Sequence, residues 1–289
     1  MKSDNFAGAS GVSVKPAGPD QSLAALLRPP SLLQTLLAYL HAVLVVAEIE
    51  LRKLRHDPTE LLTRAVQPAL WLIIFGQAFS HIRAIPTGNV SYLTFMTPGI
   101  LAQSLMFISI FYGLSIIWER DAGILQKLLV MPVPRASFVT GKGLGAGVRA
   151  LSQAVVIFIL ALLLGVHLTW SWEGMLGSLL AVLAGASFFS TLSMLIAILV
   201  KTRERFMGIG QVLTMPLFFA SNAIYPLSIM PPWLRIVAQV NPLSYIVDLL
   251  RGYLVNGRVP DSLLDWAVLL GAVVVAQILA SLTYQKILL

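Results

Sequence analysis

The sequence predicts an all-α integral membrane protein. It has six transmembrane helices, an amphipathic helix at the interface before them, a short charged helix in an internal loop, and a re-entrant segment between helices 5 and 6. Three observations predict this. Of 289 residues, 57% are hydrophobic and only 11% charged, where a soluble domain carries roughly a quarter charged. Apolar runs of membrane-spanning length recur along the chain. Lysine and arginine are unevenly divided among the segments between them.

A hydrocarbon core of ~30 Å needs about 20 mainly apolar residues per helix. Six runs qualify, at residues 65–82, 92–118, 144–167, 174–200, 207–230 and 262–285. Residues 1–39 read as a weakly ordered tail, rich in Gly, Ser, Pro and Ala, with no signal-peptide pattern. Residues 40–289 then form one membrane domain. Within it, 40–62 reads as a helix lying in the interface. Leu40, Leu44, Ala47, Leu51 and Leu54 share one side, and Arg52, Lys53, Arg55 and His56 turn to headgroups or water. The competing reading makes 31–48 an additional span, interrupted by Gln34, Tyr39 and His41.

Orientation follows from the cations. With both termini cytoplasmic, the inside segments hold fifteen Lys and Arg and the outside segments four, Arg83, Arg235, Arg251 and Arg258. That asymmetry fits a multi-pass protein of the plasma (inner) membrane. It also makes the net charge of +7 a matter of topology, so lipids are expected partners and nucleic acid is not.

Several chemistries are excluded. There is no cysteine, hence no thiolate nucleophile or thiolate metal site. The four histidines are scattered, with no His-Glu-x-x-His and no serine–histidine arrangement, which argues against an intramembrane enzyme. "GKGLGAG" at 141–147 resembles a phosphate loop but lacks one: Ala136 occupies the first glycine position and Gly143 the hydroxyl position. Gly141/Gly145 and Gly143/Gly147 instead have the spacing that lets helices approach closely. Arg149, one turn further, is expected to snorkel or to pair within the bundle. The intramembrane polar residues Gln67, Gln103, Gln153, Gln211 and Gln277 are uncharged, and no carboxylate sits mid-span, which argues against ion-coupled transport. These glutamines read as helix-to-helix bonds.

The segment "ERDAGILQKLLVMPVPR", 119–135, breaks this apolar chain. In helical register Ile124, Leu125, Leu128 and Leu129 form an apolar face, and Pro132 and Pro134 stop the helix. By pattern alone it is equally a solvated connector. The stretch 226–256, broken by Pro226, Pro231, Pro232 and Pro242, reads as two short helices starting near Pro232 and Pro242, with Asn241 as N-cap. Trp233, Asn241, Pro242 and Tyr245 mark this outer segment.

Four stretches together resemble the type-2 ABC exporter permeases. "WERDAGILQKLLVMPVPRASFVTGK" is similar to that family's cytoplasmic loop and "YLTFMTPGILAQSLM" to its second span. "LRKLRHDPTELLTRAVQPALWLIIFG" is like its opening segment, and "PLSIMPPWLRIVAQVNPLSYIVDLLRGYLV" like its outer re-entrant segment. The likeness runs over about residues 45–285 and is nearest to the drug-resistance and nodulation-type branch. It departs at Ile124 and Gln126, where threonine and glutamate are commoner.

The resemblance implies a permease without enzymatic activity of its own, paired with a second copy or a paralogue. It would be served by two cytoplasmic ABC ATPase subunits that hold the ATP and Mg; this chain would bind no cofactor. The loop at 119–135 would be the coupling helix, with Glu119, Arg120, Gly123, Leu125, Leu128 and Arg135 touching the ATPase. Glu48, Arg52 and Arg55 would add a second contact. The pathway lining is placed at Phe218, Phe219, Ser221, Asn222 and Tyr225. The expected cargo is a drug or lipid-like amphiphile. Export of a glycolipid, lipo-oligosaccharide or polysaccharide is the alternative, with a channel subunit further off.

Overall fold

The computed structural model describes residues 32–56, 58–82, 85–88, 90–124, 135–200, 202–257 and 262–283. The chain divides into two units, Met1–Leu37 and Ala38–Leu289, and the second holds the bundle. The described residues are helical apart from turns and short connections. The elements are α1 (Leu32–His56), α2 (Pro58–Leu70), α3 (Gly76–Ile82), α4 (Tyr92–Tyr112), α5 (Leu114–Asp121), α6 (Arg135–Leu163), α7 (Trp172–Leu199), α8 (Arg203–Phe219), α9 (Pro232–Val240), α10 (Pro242–Arg251) and α11 (Ser262–Thr283). A π-helical turn, Trp71–Phe75, joins α2 to α3, and another, Gly252–Asn256, follows α10.

Local sequence explains where the helices begin. Ser91 accepts the amide of Thr94 at 3.2 Å and Ser171 that of Gly174 at 3.0 Å, capping α4 and α7. Asn241 accepts the amide of Leu243 at 3.0 Å, and Pro242 fills the first turn of α10, as expected from the sequence. Pro232 likewise opens α9.

Helix α4 is the axis of the bundle, apolar and buried on nearly every side. A helix hydrophobic all round belongs in an interior. It packs on α6, α7 and α10, while α11 lies against α7 and α10. Between helices in lipid there is little hydrophobic drive, so close packing and hydrogen bonds fix the arrangement. Small residues supply the closeness. A β-carbon on Gly99 would stand 2.2 Å from the carbonyl oxygen of Ala223, so α4 meets the turn after α8 backbone to backbone.

Five described helical stretches are long and apolar enough to cross a membrane: Leu33–Lys53, Tyr92–Asp121, Ala136–Leu163, Trp172–Leu199 and Ser262–Thr283. Three expectations change. The run 207–230 is not one helix: α8 ends at Phe219, after Pro216, and a turn at 220–226 redirects the chain. The run 65–82 is α2 and α3 joined through a π-turn just after Pro68, whose ring removes a backbone donor and loosens the following turn. Helix α1 begins at Leu32 rather than 40, so 32–39 is helical and not tail.

Candidate functional site

Leu40, Leu44 and Leu51 of α1 are exposed, as are Arg52, Arg55 and His56, and the bundle-facing side is Val43, Val46 and Glu50. Glycines of α6 permit this approach. A β-carbon at Gly141 would stand 2.6 Å from Val46, and one at Gly145 2.7 Å from Glu50. The other stripe, Gly143 and Gly147, faces Ser187 and Leu183 of α7. Both stripes therefore serve close helix approach, one toward each neighbour.

Between the two stripes lies Lys142, which this closeness seals from solvent. Its ammonium donates to Glu50 Oε1 of α1 at 2.8 Å and to Glu119 Oε1 of α5 at 2.6 Å. The side chains of Lys142 and Glu50 are each 2% exposed. Lys53 donates to the same two oxygens, at 3.0 and 2.7 Å, from the half-exposed rim of the cluster. Arg149 adds a contact of 3.5 Å to Glu50 Oε2. The Tyr112 ring lies under both cations, 5.4 Å from Lys142 Nζ and 5.0 Å from the Arg149 guanidinium. Two carboxylates and three cations thus join α1, α5 and α6. Charges this deep persist only when mutually paired, because removing one leaves the others desolvated and uncompensated.

Glu119 was expected on the surface of a coupling helix running from 119. The structure places Glu119, 7% exposed, in the last turn of α5, and Gly123 at φ +68° breaks the helix before Ile124. Arg120 and Asp121 face the opposite way. Arg120 donates to the carbonyl of Val200 at 3.3 Å, and Asp121 accepts from Arg203 of α8 at 3.1 Å. Arg203 also stacks over Trp118, 3.7 Å from its ring centre. Leu125 and Leu128 lie outside the described residues, and Arg135 opens α6. Glu48 and Arg52 form an exposed pair at 2.6 Å, and Arg55 is exposed nearby.

The expected pathway residues are dispersed. Phe218, Ser221 and Asn222 are buried, Phe219 is exposed and Tyr225 half-buried. Trp71 meets Phe218 and Phe219 edge-on at 5.8 and 6.2 Å, so α8 packs on the π-turn there. Asn222 donates to Asp248 of α10 at 2.6 Å, and its backbone carbonyl accepts from Arg251 at 2.9 Å. Arg251 lies 3.8 Å over the Phe95 ring. Asn241, buried, also donates to the carbonyls of Leu217 and Ala220, holding α10 to the end of α8. Tyr245 donates to the carbonyl of Gln239, while Trp233 on α9 is exposed. Of the five glutamines, Gln277 bonds across helices, to Ser187 at 3.1 Å and to Thr140 at 3.4 Å, and Gln153 of α6 accepts from Ser104 of α4 at 3.5 Å. Gln153 also meets Gln67, Gln103 and Gln211 at a cavity.

Sequence reasoning missed Glu50 and Lys142, and it turned Lys53 to headgroups or water, where the structure has it half-exposed at the rim of the cluster. A signal existed: Lys142 sits between two glycine stripes, so any helix seated on them must also cover it.

Residues 41–255 match the family described as ABC-2 type transporter. The chain belongs to that family. It is 32% identical over 201 residues to the putative transport permease ycf38 of Cyanophora paradoxa, with 69% of each chain covered. It is 24% identical over 191 residues to the daunorubicin resistance ABC transporter permease protein DrrB1 of Streptomyces coeruleorubidus, covering 66% of this chain and 67% of that one. With nodulation protein J of Neorhizobium galegae it shares 22% identity over 206 residues, 71% of this chain and 77% of the other. ABC-2 family members work with ABC ATPase subunits. The matched region takes in both the ionic cluster and the Asn222–Arg251 contact.

Proposed function

We propose that this ABC-2 chain is the permease subunit of an ATP-driven exporter of amphiphilic or lipophilic compounds. It lies in the plasma membrane with both termini cytoplasmic and works beside a second copy. Two cytoplasmic ATPase subunits, carrying ATP and Mg, seat the 119–135 segment. The drug-resistance relatives support the direction and the cargo class.

The observation that carries the reading is the attachment of Glu119. It begins the loop, and through Lys142 it is tied to α1 and α6. A displacement of the loop then moves three helices together instead of bending one connector. Closure of the ATPase dimer would draw the loops inward, and the joint would tilt the bundle and open the far end at 220–256.

The test is capture of a P-loop ATPase with the full-length permease purified from its native membrane. Wild type should recover the ATPase, and Leu125→Asp/Leu128→Asp should lose it. Glu119→Gln should keep capture and ATP hydrolysis while transport falls at least tenfold. Recovery of the wild type without any ATPase would overturn the reading.

A further inference from the structure

The cavity where four glutamines meet is not explained by packing. It has a volume of about 390 Å³, within the range of ordinary small-molecule sites. It opens between α2 and α8, where Gln67 and Gln211 are exposed, and its inner wall is Gln103 and Ser104 of α4 with Gln153 of α6. Ser104 donates to Gln153 Oε1 at 3.5 Å. Gln103 is 2% exposed, and its Oε1 has no hydrogen-bond partner. A buried amide oxygen left unsatisfied is destabilising, and in a bilayer no bulk water relieves it. A leucine of the same reach would avoid that cost.

We infer that this cavity binds an uncharged, hydroxyl-rich head group, such as a sugar, carried on an apolar body. Amides from four helices offer both donors and acceptors, which suits vicinal hydroxyls. The side chains of Phe107 and Phe111 line the same cavity, their rings 6.1 Å apart and nearly parallel, and offer apolar faces to a ring or chain. No carboxylate is among the lining residues, and Arg64 stands at the cavity, so a cationic head is disfavoured. The inference rests on the exporter reading, since it takes the cavity as the place where cargo is held. It narrows that cargo to glycosides and similar polyols.

The test uses the full-length protein in lipid nanodiscs, with tritiated n-dodecyl β-D-glucoside as probe and dodecyltrimethylammonium as competitor. Wild type should bind the glucoside saturably, and the cation should compete at least tenfold less well than unlabelled glucoside. Gln103→Leu should weaken binding tenfold or more, with Tm unchanged or raised. Gln211→Leu, at the exposed mouth, should weaken it about threefold. Binding that is non-saturable, equal in wild type and both variants, or displaced as well by the cation would overturn the inference. ATPase capture by the same preparations separates the two readings. Capture without saturable glucoside binding sinks the cavity assignment alone, and glucoside binding without capture sinks the exporter reading alone.

Discussion

Among the described residues are two buried cationic centres, one at each end of α4, and they are satisfied in opposite ways. Lys142 meets two carboxylates at 2.8 and 2.6 Å, both nearly sealed from solvent, and glycines press its helix against the neighbours. Arg251 is held mainly by neutral groups: the carbonyl of Asn222 at 2.9 Å, that of Phe95 at 3.5 Å, and the Phe95 ring. Its one carboxylate, Asp248, is 3.8 Å away with a side chain 40% exposed. Charge-to-charge contacts in a dry site are strong and collapse together when one member goes. Carbonyl and ring contacts are individually weaker and can be exchanged for water. The Lys142 centre is built as a joint, and the Arg251 centre as a clasp that can open. That difference suits the proposed exporter, driven from one end and releasing cargo at the other.

The largest effect that would break the comparison is at Lys142. Lys142→Met leaves Glu50 and Glu119 facing each other with only Lys53 and Arg149 nearby. Loss of one member of a buried ionic set costs about 3–5 kcal/mol. The variant should lose several degrees in Tm by detergent-based thermal shift, and the double change Lys142→Met/Glu119→Gln, which leaves Glu50 paired with Lys53 and Arg149, should recover most of it. A single variant as stable as wild type would show that water, not salt bridging, satisfies the joint. Asp248→Asn is the milder counterpart. It removes the far carboxylate but keeps an oxygen within reach of Asn222, so stability should fall by about 1 kcal/mol or less. A loss as large as that of Lys142→Met would erase the distinction between joint and clasp.

What could be read from the sequence divides along the same line. Features set by neighbours in the chain were legible: Asn241 capping α10 ahead of Pro242, the Pro232 start of α9, and the glycine stripes of α6. Features set by partners far along the chain were not. Glu50 and Glu119 are 92 and 23 residues from Lys142, and no local pattern ties them. The glutamines show the same limit. Each was visible as an uncharged intramembrane polar group, but whether it bonds a neighbour, as Gln277 does, lines a cavity, as Gln103 does, or does both, as Gln153 does, depends on the packing of four helices. The end of α8 at Phe219 fell to a turn that Ser221 bonds on both sides, inside an otherwise apolar run where hydropathy alone continues the span.

The smallest expected effect sharpens the comparison from outside. Arg52 and Glu48 lie on α1 less than one turn from the joint, and their pair distance of 2.6 Å is as short as any in it. Distance therefore does not distinguish them; exposure does, with side chains 75% and 56% exposed. Water already solvates both charges, so the contact is worth at most about 0.5 kcal/mol. Arg52→Ala should leave Tm within a degree of wild type, at low and high salt alike. If Arg52 touches the ATPase, the same variant should still lower capture, because an exposed charge costs nothing to keep and is free to meet a partner. Stability lost at Arg52 would mean that the joint extends one turn further along α1. Capture lost without stability would place the ATPase against that turn.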